Sequence, residues 1–256
     1  MNIVKEAKGK FSRDDRYHLK KVYRKFGQSI HDYRLIEDGD RILVGLSGGK
    51  DSLALLQLLQ ERNRIHGGKY TVVAVHISIN DIPYQISNKY LQSFCDDLGI
   101  EFFIHEVSLE SSRMKDKSVC FTCSWTRRKT LFEIARINNC NKLALGHHRD
   151  DAIETLLMNM SFQGSISTMP PKLEMFGGNL TIIRPLILIA EHELVKYAEL
   201  MSFKKLKNNC PFENDSRRRS IKEIVKELEK LHSHAQSNIY KSMNNIQPQY
   251  LPELSG

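Results

Sequence analysis

The sequence feature that most constrains the fold is a glycine-rich turn between an apolar strand and an apolar helix. Residues 41–46 predict a short buried strand, and the apolar run at residues 53–59 predicts the helix. Glycines in such a turn let successive backbone N–H groups point at an oxyanion, and the helix start adds a positive potential. We therefore predict a phosphate-binding loop that consists of Ser47, Gly48, Gly49, Lys50, Asp51 and Ser52.

The side chains of this loop suit a nucleotide that carries a magnesium ion. Lys50 adds a full positive charge, Ser47 and Ser52 add hydroxyl donors, and Asp51 can hold Mg²⁺. The common loop of nucleoside triphosphatases would need a glycine where this chain has Val44. The loop is therefore of a different type.

Strands alternate with helices along most of the chain. Beyond the first strand, further strands are predicted at residues 70–79, 101–107, 142–146 and 180–186, with helices between them. The alternation predicts an α/β fold, an open, mostly parallel twisted sheet with helices on both faces. Sheets of this kind bind ligands at the carboxyl ends of their strands. His76 stands near the end of the second strand, where a nucleotide contact and a packed strand histidine are both open.

The charge balance favours a polyanionic partner. The 256 residues include 38 Lys and Arg against 30 Asp and Glu, a net charge of +8. RNA, an anionic membrane surface and a merely basic protein are all compatible with this charge. Two groups of basic residues are candidates for contacts with phosphates: Lys20, Lys21, Arg24 and Lys25 on a helix at residues 16–33, and Arg217, Arg218 and Arg219. A basic helix face that is simply solvated would also explain the first group.

The apolar segments are too short for a membrane protein. No stretch approaches the roughly 18 uninterrupted apolar residues of a membrane-spanning helix. The N-terminal residues also lack the apolar core of a secretory signal. We therefore predict a cytoplasmic location and no membrane partner.

Five cysteines, an odd number in a chain predicted to be cytosolic, argue against a disulfide framework. Cys120 and Cys123 open a predicted helix and are followed by Arg127 and further cations. A helix start and nearby cations lower the pKa of a thiol, and the resulting thiolate is a good metal ligand or nucleophile. Half of a zinc site, a redox pair and part of an iron–sulfur site are all open for this pair. Cys95 and Cys140 are predicted to be structural.

Two later segments narrow these alternatives. Residues 146–151 (GHHRDD) place polar groups where a strand gives way to a helix, and residues 169–172 (MPPK) and 184–186 (RPL) follow. The phosphate loop resembles the signature of the PP-loop ATP pyrophosphatases, which split ATP between its α- and β-phosphates to adenylate a carbonyl oxygen. Taken with the two cysteines and Cys210, the order of these motifs from about residue 20 to residue 230 resembles the tRNA 2-thiocytidine synthetases.

The resemblance implies the cofactors. A 4Fe–4S cluster would be held by Cys120, Cys123 and Cys210, leaving one iron free of cysteine for the transferred sulfur. A zinc site completed by His147 or His148 stays open. The sequence departs from the family at Lys207 and Glu213, since the family often has a second Cys-x-x-Cys around the distant cysteine. That departure puts in doubt a mechanism that needs a further thiol.

The resemblance also implies the remaining site residues. ATP and Mg²⁺ would contact the loop Ser47–Ser52, His76, Arg127, Gly146 and Asp151, and Asp150 could exchange roles with Asp151. Catalytic roles would fall to Lys50, Asp51 and Asp151.

The predicted function is ATP-dependent sulfur transfer to a cytidine in the tRNA anticodon loop. The implied partners are tRNA and a cysteine desulfurase or another sulfur donor, and a homodimer is left open. The expected parts are a basic helical region (1–38), a PP-loop domain (39–206) and a C-terminal part with Cys210, a basic helix and the tail (207–256). The alternatives are a lysidine-synthetase-like ligase, a tRNA uridine 2-thiolase and an RNA-binding protein without catalysis.

Overall fold

The computed structural model describes residues 11–81, 87–109, 119–204 and 216–251. Cys210, Lys207 and Glu213 lie outside the described residues, so their predicted roles stay predictions. The helices are α1 (Arg13–Asp32), α2 (Lys50–Ile65), α3 (Asn88–Leu98), α4 (Val119–Ile137), α5 (Arg149–Gln163), α6 (Glu191–Leu200), α7 (Ser216–Leu231) and α8 (Ala235–Ser242). None of the helices within these ranges is long and apolar enough to cross a membrane.

Local sequence signals explain where several helices begin and end. The Ser12 hydroxyl accepts a hydrogen bond from the Asp15 amide at the start of α1, and the Ser87 hydroxyl accepts one from the Tyr90 amide in α3. Gly99 ends α3 in the left-handed conformation (φ +63°), which glycine adopts without steric cost.

The six described strands form one sheet in the order β3-β2-β1-β4-β6-β5. Their bounds are β1 (Arg41–Gly45), β2 (Thr71–Ile79), β3 (Glu101–Val107), β4 (Lys142–Ala144), β5 (Lys172–Met175) and β6 (Leu180–Ile183). Every neighbouring pair is parallel except β5 and β6. The predicted mostly parallel sheet is confirmed.

Strand β5 is absent from the sequence prediction. It has four residues at the sheet edge, and Leu173 and Glu174 are exposed. Such a short strand carries too little alternation of apolar and polar residues to be recognised. The predicted strand at residues 180–186 is also shorter than expected, since β6 ends at Ile183.

The chain divides into two compact units, one of residues 1–148 and 170–213 and a smaller one of residues 149–169 and 214–256. The sheet lies in the larger unit. The three-part division drawn from the sequence stays a prediction.

Two apolar clusters cover the two faces of the sheet in the larger unit. Alternate residues of β1 belong to different clusters: Ile42 and Val44 to one, Leu43 to the other. The first cluster includes residues of α1, α2, α3 and α6, and the second includes Ile134 and Ala135 of α4. Helices therefore pack on both faces, as predicted.

The smaller unit contains α5, α7 and α8. Ile221 and Val225 of α7 are buried, whereas Ile224 is 50% exposed and Leu231 is 83% exposed. Arg218 of α7 pairs with Glu154 of α5, with 3.4 Å between Nε and Oε2.

Candidate active site

The phosphate loop joins the end of β1 to the first turn of α2. The Leu46 amide donates to the Val75 carbonyl oxygen (2.8 Å), which anchors the start of the loop on β2. Gly48 has φ +79°, a conformation that favours glycine, and Gly49 is the N-cap of α2. Because Gly49 has no side chain to cap the helix, the first-turn amides keep their capacity for an anion.

Hydrogen bonds within the loop hold its shape. The Ser47 hydroxyl donates to Ser52 Oγ (3.1 Å) and accepts from the Gly49 amide (3.3 Å). The Ser52 hydroxyl donates to the Gly49 carbonyl oxygen (2.9 Å). Both predicted hydroxyl donors therefore lie at the helix start.

Lys50 lies between two carboxylates at this helix start. Its Nζ is 3.1 Å from Asp51 Oδ2 and 3.6 Å from Glu191 Oε1, and its side chain is 30% exposed. The ammonium group can therefore exchange these partners for a phosphate. The Asp51 carboxylate, next to a phosphate site, is a suitable ligand for Mg²⁺.

The loop opens onto a cavity of about 630 Å³, within the range that small-molecule ligands occupy. Gly48, Gly49, Lys50 and Asp51 line one part of this cavity. Residues of α6 and the segment that follows line another part, and they are Val195, Ala198, Glu199, Ser202, Phe203 and Lys204.

Gly146 lies directly against the loop. A Cβ atom added at Gly146 would be 3.2 Å from both the Asp51 carbonyl carbon and the Ser52 amide nitrogen. The structure thus brings together the two segments that the sequence singled out separately, residues 47–52 and the start of GHHRDD.

His76 is buried in the second half of β2, one residue beyond the level at which the paired strand β1 ends. Its Nδ1 is 2.7 Å from the Leu46 carbonyl oxygen, so Nδ1 carries the proton and donates. Burial lowers the pKa of His76; the hydrogen bond to Leu46 opposes this, and the charge of Arg127 lowers the pKa further. His76 and Arg127 are therefore close enough to interact. Within the described ranges, the buried Nε of Arg127 has no hydrogen-bond partner.

The four described cysteines fall into two groups. Cys120 is exposed and Cys123 is half-buried in the first turn of α4, and a spacing of three places them on one helix face. Cys95 and Cys140 are buried, and burial raises the pKa of both thiols, that of Cys95 to about 12. The prediction that Cys95 and Cys140 are structural is confirmed.

Two thiols on one face of a helix start suit a cluster or a metal. Within the described ranges, no group of three or more His, Cys, Asp and Glu side chains is arranged to hold a metal ion. The third predicted ligand, Cys210, lies outside those ranges. Nδ1 of His147 accepts a hydrogen bond from Nε of Arg184 (3.3 Å), which occupies that nitrogen and disfavours it as a zinc ligand.

Arg184 was not among the predicted site residues. It directly follows β6 and is only 6% exposed. The available signal was a cation immediately after a buried apolar strand, at the sheet edge where ligands bind.

Asp150 and Asp151 occupy the first turn of α5 in the smaller unit, where Asp150 is buried and Asp151 is half-buried. The predicted contact of Asp151 with ATP, and the alternative with Asp150, stay predictions.

The predicted basic surface of α1 is only partly available to RNA. Lys21 and Lys25 each pair with the buried carboxylate of Glu193 on α6, at 2.9 and 2.6 Å. These two lysines therefore already have a carboxylate partner, and their predicted contact with RNA phosphates stays a prediction. Lys20 and Arg24 are exposed on the same helix.

A parallel sheet with this loop at the carboxyl end of β1, and a second glycine pressed against it, defines a PP-loop nucleotide-binding protein. Residues 17–228 match the sequence model of a family described as the PP-loop domain. A tRNA-cytidine(32) 2-sulfurtransferase of Geotalea daltonii is 37% identical over 236 residues, which cover 91% of this chain and 94% of that one. The corresponding protein of Pelobacter propionicus is 38% identical over 229 residues, 88% of this chain and 85% of that one. The chain belongs to this family of PP-loop tRNA sulfurtransferases.

One solved structure agrees with this assignment. The U34-tRNA thiolase NcsA from Methanococcus maripaludis, solved with its 4Fe–4S cluster, superposes with a TM-score of 0.74 at 25% identity. The match covers 92% of this chain and 80% of that one. The resemblance to tRNA thiolases drawn from the motifs is confirmed.

Proposed function

We propose that this protein transfers sulfur to a cytidine of tRNA in a reaction that consumes ATP. The observation that carries the proposal is the joint presence, in one compact unit, of the Ser47–Ser52 loop and the Cys120/Cys123 pair. The loop supports adenylation, and the thiol pair supports chemistry that needs sulfur or a metal. Relatives at 37–38% identity bear the name tRNA-cytidine(32) 2-sulfurtransferase.

The chemical problem is that the C2 carbonyl of cytosine is a poor electrophile with a poor leaving group. Attack of the carbonyl oxygen on the α-phosphorus of ATP forms the O–P bond and releases pyrophosphate. Hydrosulfide then adds to C2, loses its proton, and expels AMP with the original oxygen. The product has a C=S bond, and no oxidant or reductant is consumed.

The phosphate loop would stabilise the charge that develops on the pyrophosphate. The Gly48 and Gly49 backbone, the Ser47 hydroxyl and Lys50 all lie at the start of α2. Asp51 would hold Mg²⁺. His76, Arg127, Gly146 and Asp151 complete the proposed nucleotide contacts.

Cys120, Cys123 and Cys210 are the proposed ligands of a 4Fe–4S cluster. When bound, such a cluster with three cysteine ligands supplies an iron at which sulfur can be held for transfer. The protein's own contribution is to present two of these thiols three residues apart at a helix start, on one face of the helix.

The target base has to leave its stack to react, which costs least in a single-stranded loop. The exposed Lys20 and Arg24 are proposed to contact the tRNA backbone. A cysteine desulfurase or another donor is the proposed source of sulfur. We place the reaction in the cytoplasm, with its tRNA substrate.

Mass spectrometry of tRNA nucleosides from cells that lack this protein tests the proposal. The 2-thiocytidine peak should disappear, return with the wild-type gene, and stay absent with the Cys120→Ala gene. An unchanged peak in the deletion strain would refute the assignment.

A tRNA uridine 2-thiolase is the second candidate, because the superposed structure is a U34-tRNA thiolase. Loss of 2-thiouridine with 2-thiocytidine retained would favour it. A lysidine-synthetase-like ligase is separated by incorporation of labelled lysine instead of sulfide into tRNA. A binding protein without catalysis would release no AMP when tRNA is present.

A further inference from the structure

Arg184 is a buried cation without a counter-charge in the part of the chain that the structure describes. Its Nε donates to Nδ1 of His147 (3.3 Å), and its Nη1 donates to the Pro170 carbonyl oxygen. Both acceptors are uncharged, and no carboxylate in the described ranges pairs with this guanidinium. A guanidinium has five N–H donors, so these bonds leave donors for a ligand.

A second arginine adds to the positive charge at this place. Burial, and then the charge of Arg128 on α4, lower the pKa of Arg184 to about 10, so the group is still a cation at neutral pH. Arg128 is exposed. Because buried charges in proteins are normally paired, the buried guanidinium of Arg184, which has no carboxylate partner in the described ranges, indicates that an anion completes the arrangement. The positive charge of Arg128 would add to the attraction for that anion.

His147 orients the guanidinium of Arg184. A guanidinium can only donate, so Nδ1 of His147 is an acceptor and the ring proton is on Nε2. The imidazole is therefore neutral in this contact and does not compensate the charge of Arg184. His147 also follows Gly146, which touches the phosphate loop.

The position of Arg184 in the sheet separates it from that loop. The loop follows β1, His147 follows β4 and Arg184 follows β6, and these three strands are neighbours. Since neighbouring strands lie about 4.8 Å apart, the end of β6 is about 10 Å from the end of β1. An anion at Arg184 would occupy the same sheet edge as ATP without lying on the loop.

We propose that Arg184, held in place by His147, forms with Arg128 a second phosphate-binding site, distinct from the Ser47–Ser52 loop. Its ligand is a phosphate group, either of the RNA backbone beside the modified nucleotide or of the bound nucleotide. Only the choice between these two sources rests on the proposed function, since the site itself is argued from the geometry.

Equilibrium binding measured with two probes tests the site. The probes are an ATP analogue with a non-cleavable α–β bridge, given with Mg²⁺, and an unmodified tRNA transcript. Arg184→Gln and Arg128→Gln should each weaken the binding of one probe about tenfold or more, the effect of losing a charge-assisted hydrogen bond. Arg184→Lys keeps the positive charge but loses the planar guanidinium with its paired donors, so its affinity for that probe should lie between those of Arg184→Gln and wild type. Arg136→Gln, an exposed arginine of the same helix α4, is the control and should bind both probes like wild type.

The pattern of loss identifies the source of the phosphate. Weaker binding of tRNA alone, with a shallower salt dependence, assigns an RNA phosphate, and weaker binding of the ATP analogue alone assigns a nucleotide phosphate. Wild-type affinity for both probes in folded Arg184→Gln and Arg128→Gln would overturn the proposal. If Arg184→Gln does not fold, the affinities of Arg128→Gln for the two probes test the proposal, and wild-type affinity for both would overturn it. If wild-type protein does not thiolate tRNA but its binding depends on these arginines, the proposed function fails and the phosphate site stands.

Discussion

Gly146 and Ser52 approach each other so closely that a methyl group on Gly146 would push its neighbours away by a few tenths of an ångström. A Cβ atom on Gly146 would be 3.2 Å from the Ser52 amide nitrogen, with backbone atoms of Asp51 equally near. Because the neighbours are backbone atoms and not flexible side-chain ends, the phosphate loop itself would have to move. This contact joins the end of β4 to the start of α2.

Gly146→Ala should therefore weaken ATP binding more than it lowers stability. We expect at least a tenfold rise in the dissociation constant of an ATP analogue, about 1.4 kcal/mol, measured by isothermal titration calorimetry. Gly27→Ala is a suitable control, because its Cβ would meet only the end of the Arg62 side chain, at 3.2 Å. Equal ATP affinity in Gly146→Ala and wild type would contradict the importance of this contact.

Lys50→Met should impair turnover while leaving the fold intact. The side chain is 30% exposed, and its partners among the described residues lie at the loop and on α6, so its loss should change the melting temperature little. If Lys50 stabilises the departing pyrophosphate, pyrophosphate release with tRNA present should slow about 10²–10³-fold. Lys69→Met removes an exposed lysine that pairs with Asp38 (2.7 Å), and it should turn over like wild type. Normal turnover by Lys50→Met would exclude this role.

Cys120→Ser and Cys123→Ser should each abolish iron binding in protein purified without oxygen. Wild-type protein should be brown and carry about four irons. Cys140→Ala is the control: this thiol is buried and outside the proposed site, so the variant should keep its iron and lose only stability. A colourless wild-type protein that contains zinc and is fully active would exclude the cluster.

Glu193 should make the fold sensitive to acid. Burial disfavours its charge, but hydrogen bonds from Lys25, the Ala190 amide and Lys21 outweigh this and lower the pKa of Glu193 to about 2. Since the folded pKa lies below the unfolded value near 4.5, the stabilisation is complete above pH 4.5 and is lost as pH falls towards 2. The full effect is about 3 kcal/mol.

Urea denaturation of wild type and Glu193→Gln between pH 3 and pH 7 measures this effect. The difference in unfolding free energy should be largest near neutral pH and shrink as the solution is acidified. Glu101→Gln alters an exposed carboxylate that pairs with Arg41 and should show no comparable difference. A difference in unfolding free energy between wild type and Glu193→Gln that does not change with pH would contradict the lowered pKa of Glu193.

The amino-acid sequence by itself determined the local features of this protein. A buried run of Val, Ile and Leu, a glycine turn and a helix start are properties of neighbouring residues, so the phosphate loop and most strands could be predicted. The placement of Cys120 and Cys123 at a helix start also followed from adjacent residues. These motifs, with their order along the chain, were sufficient to indicate the family.

Only the tertiary structure decided which side chains meet across the fold. Lys25 and Glu193 are 168 residues apart in the sequence. The helical pattern of apolar residues predicts only that Lys25 is one of several basic residues on a helix. Arg184 and His147 are 37 residues apart and follow two different strands. Gly146 contacts the phosphate loop, which precedes it by nearly a hundred residues. A hydrophobic pattern specifies which face of an element is buried, but not its partner. The packing of the helices and the order of the strands select that partner. They therefore determined that Glu193 neutralises Lys25, whereas Arg184 has no carboxylate partner among the described residues.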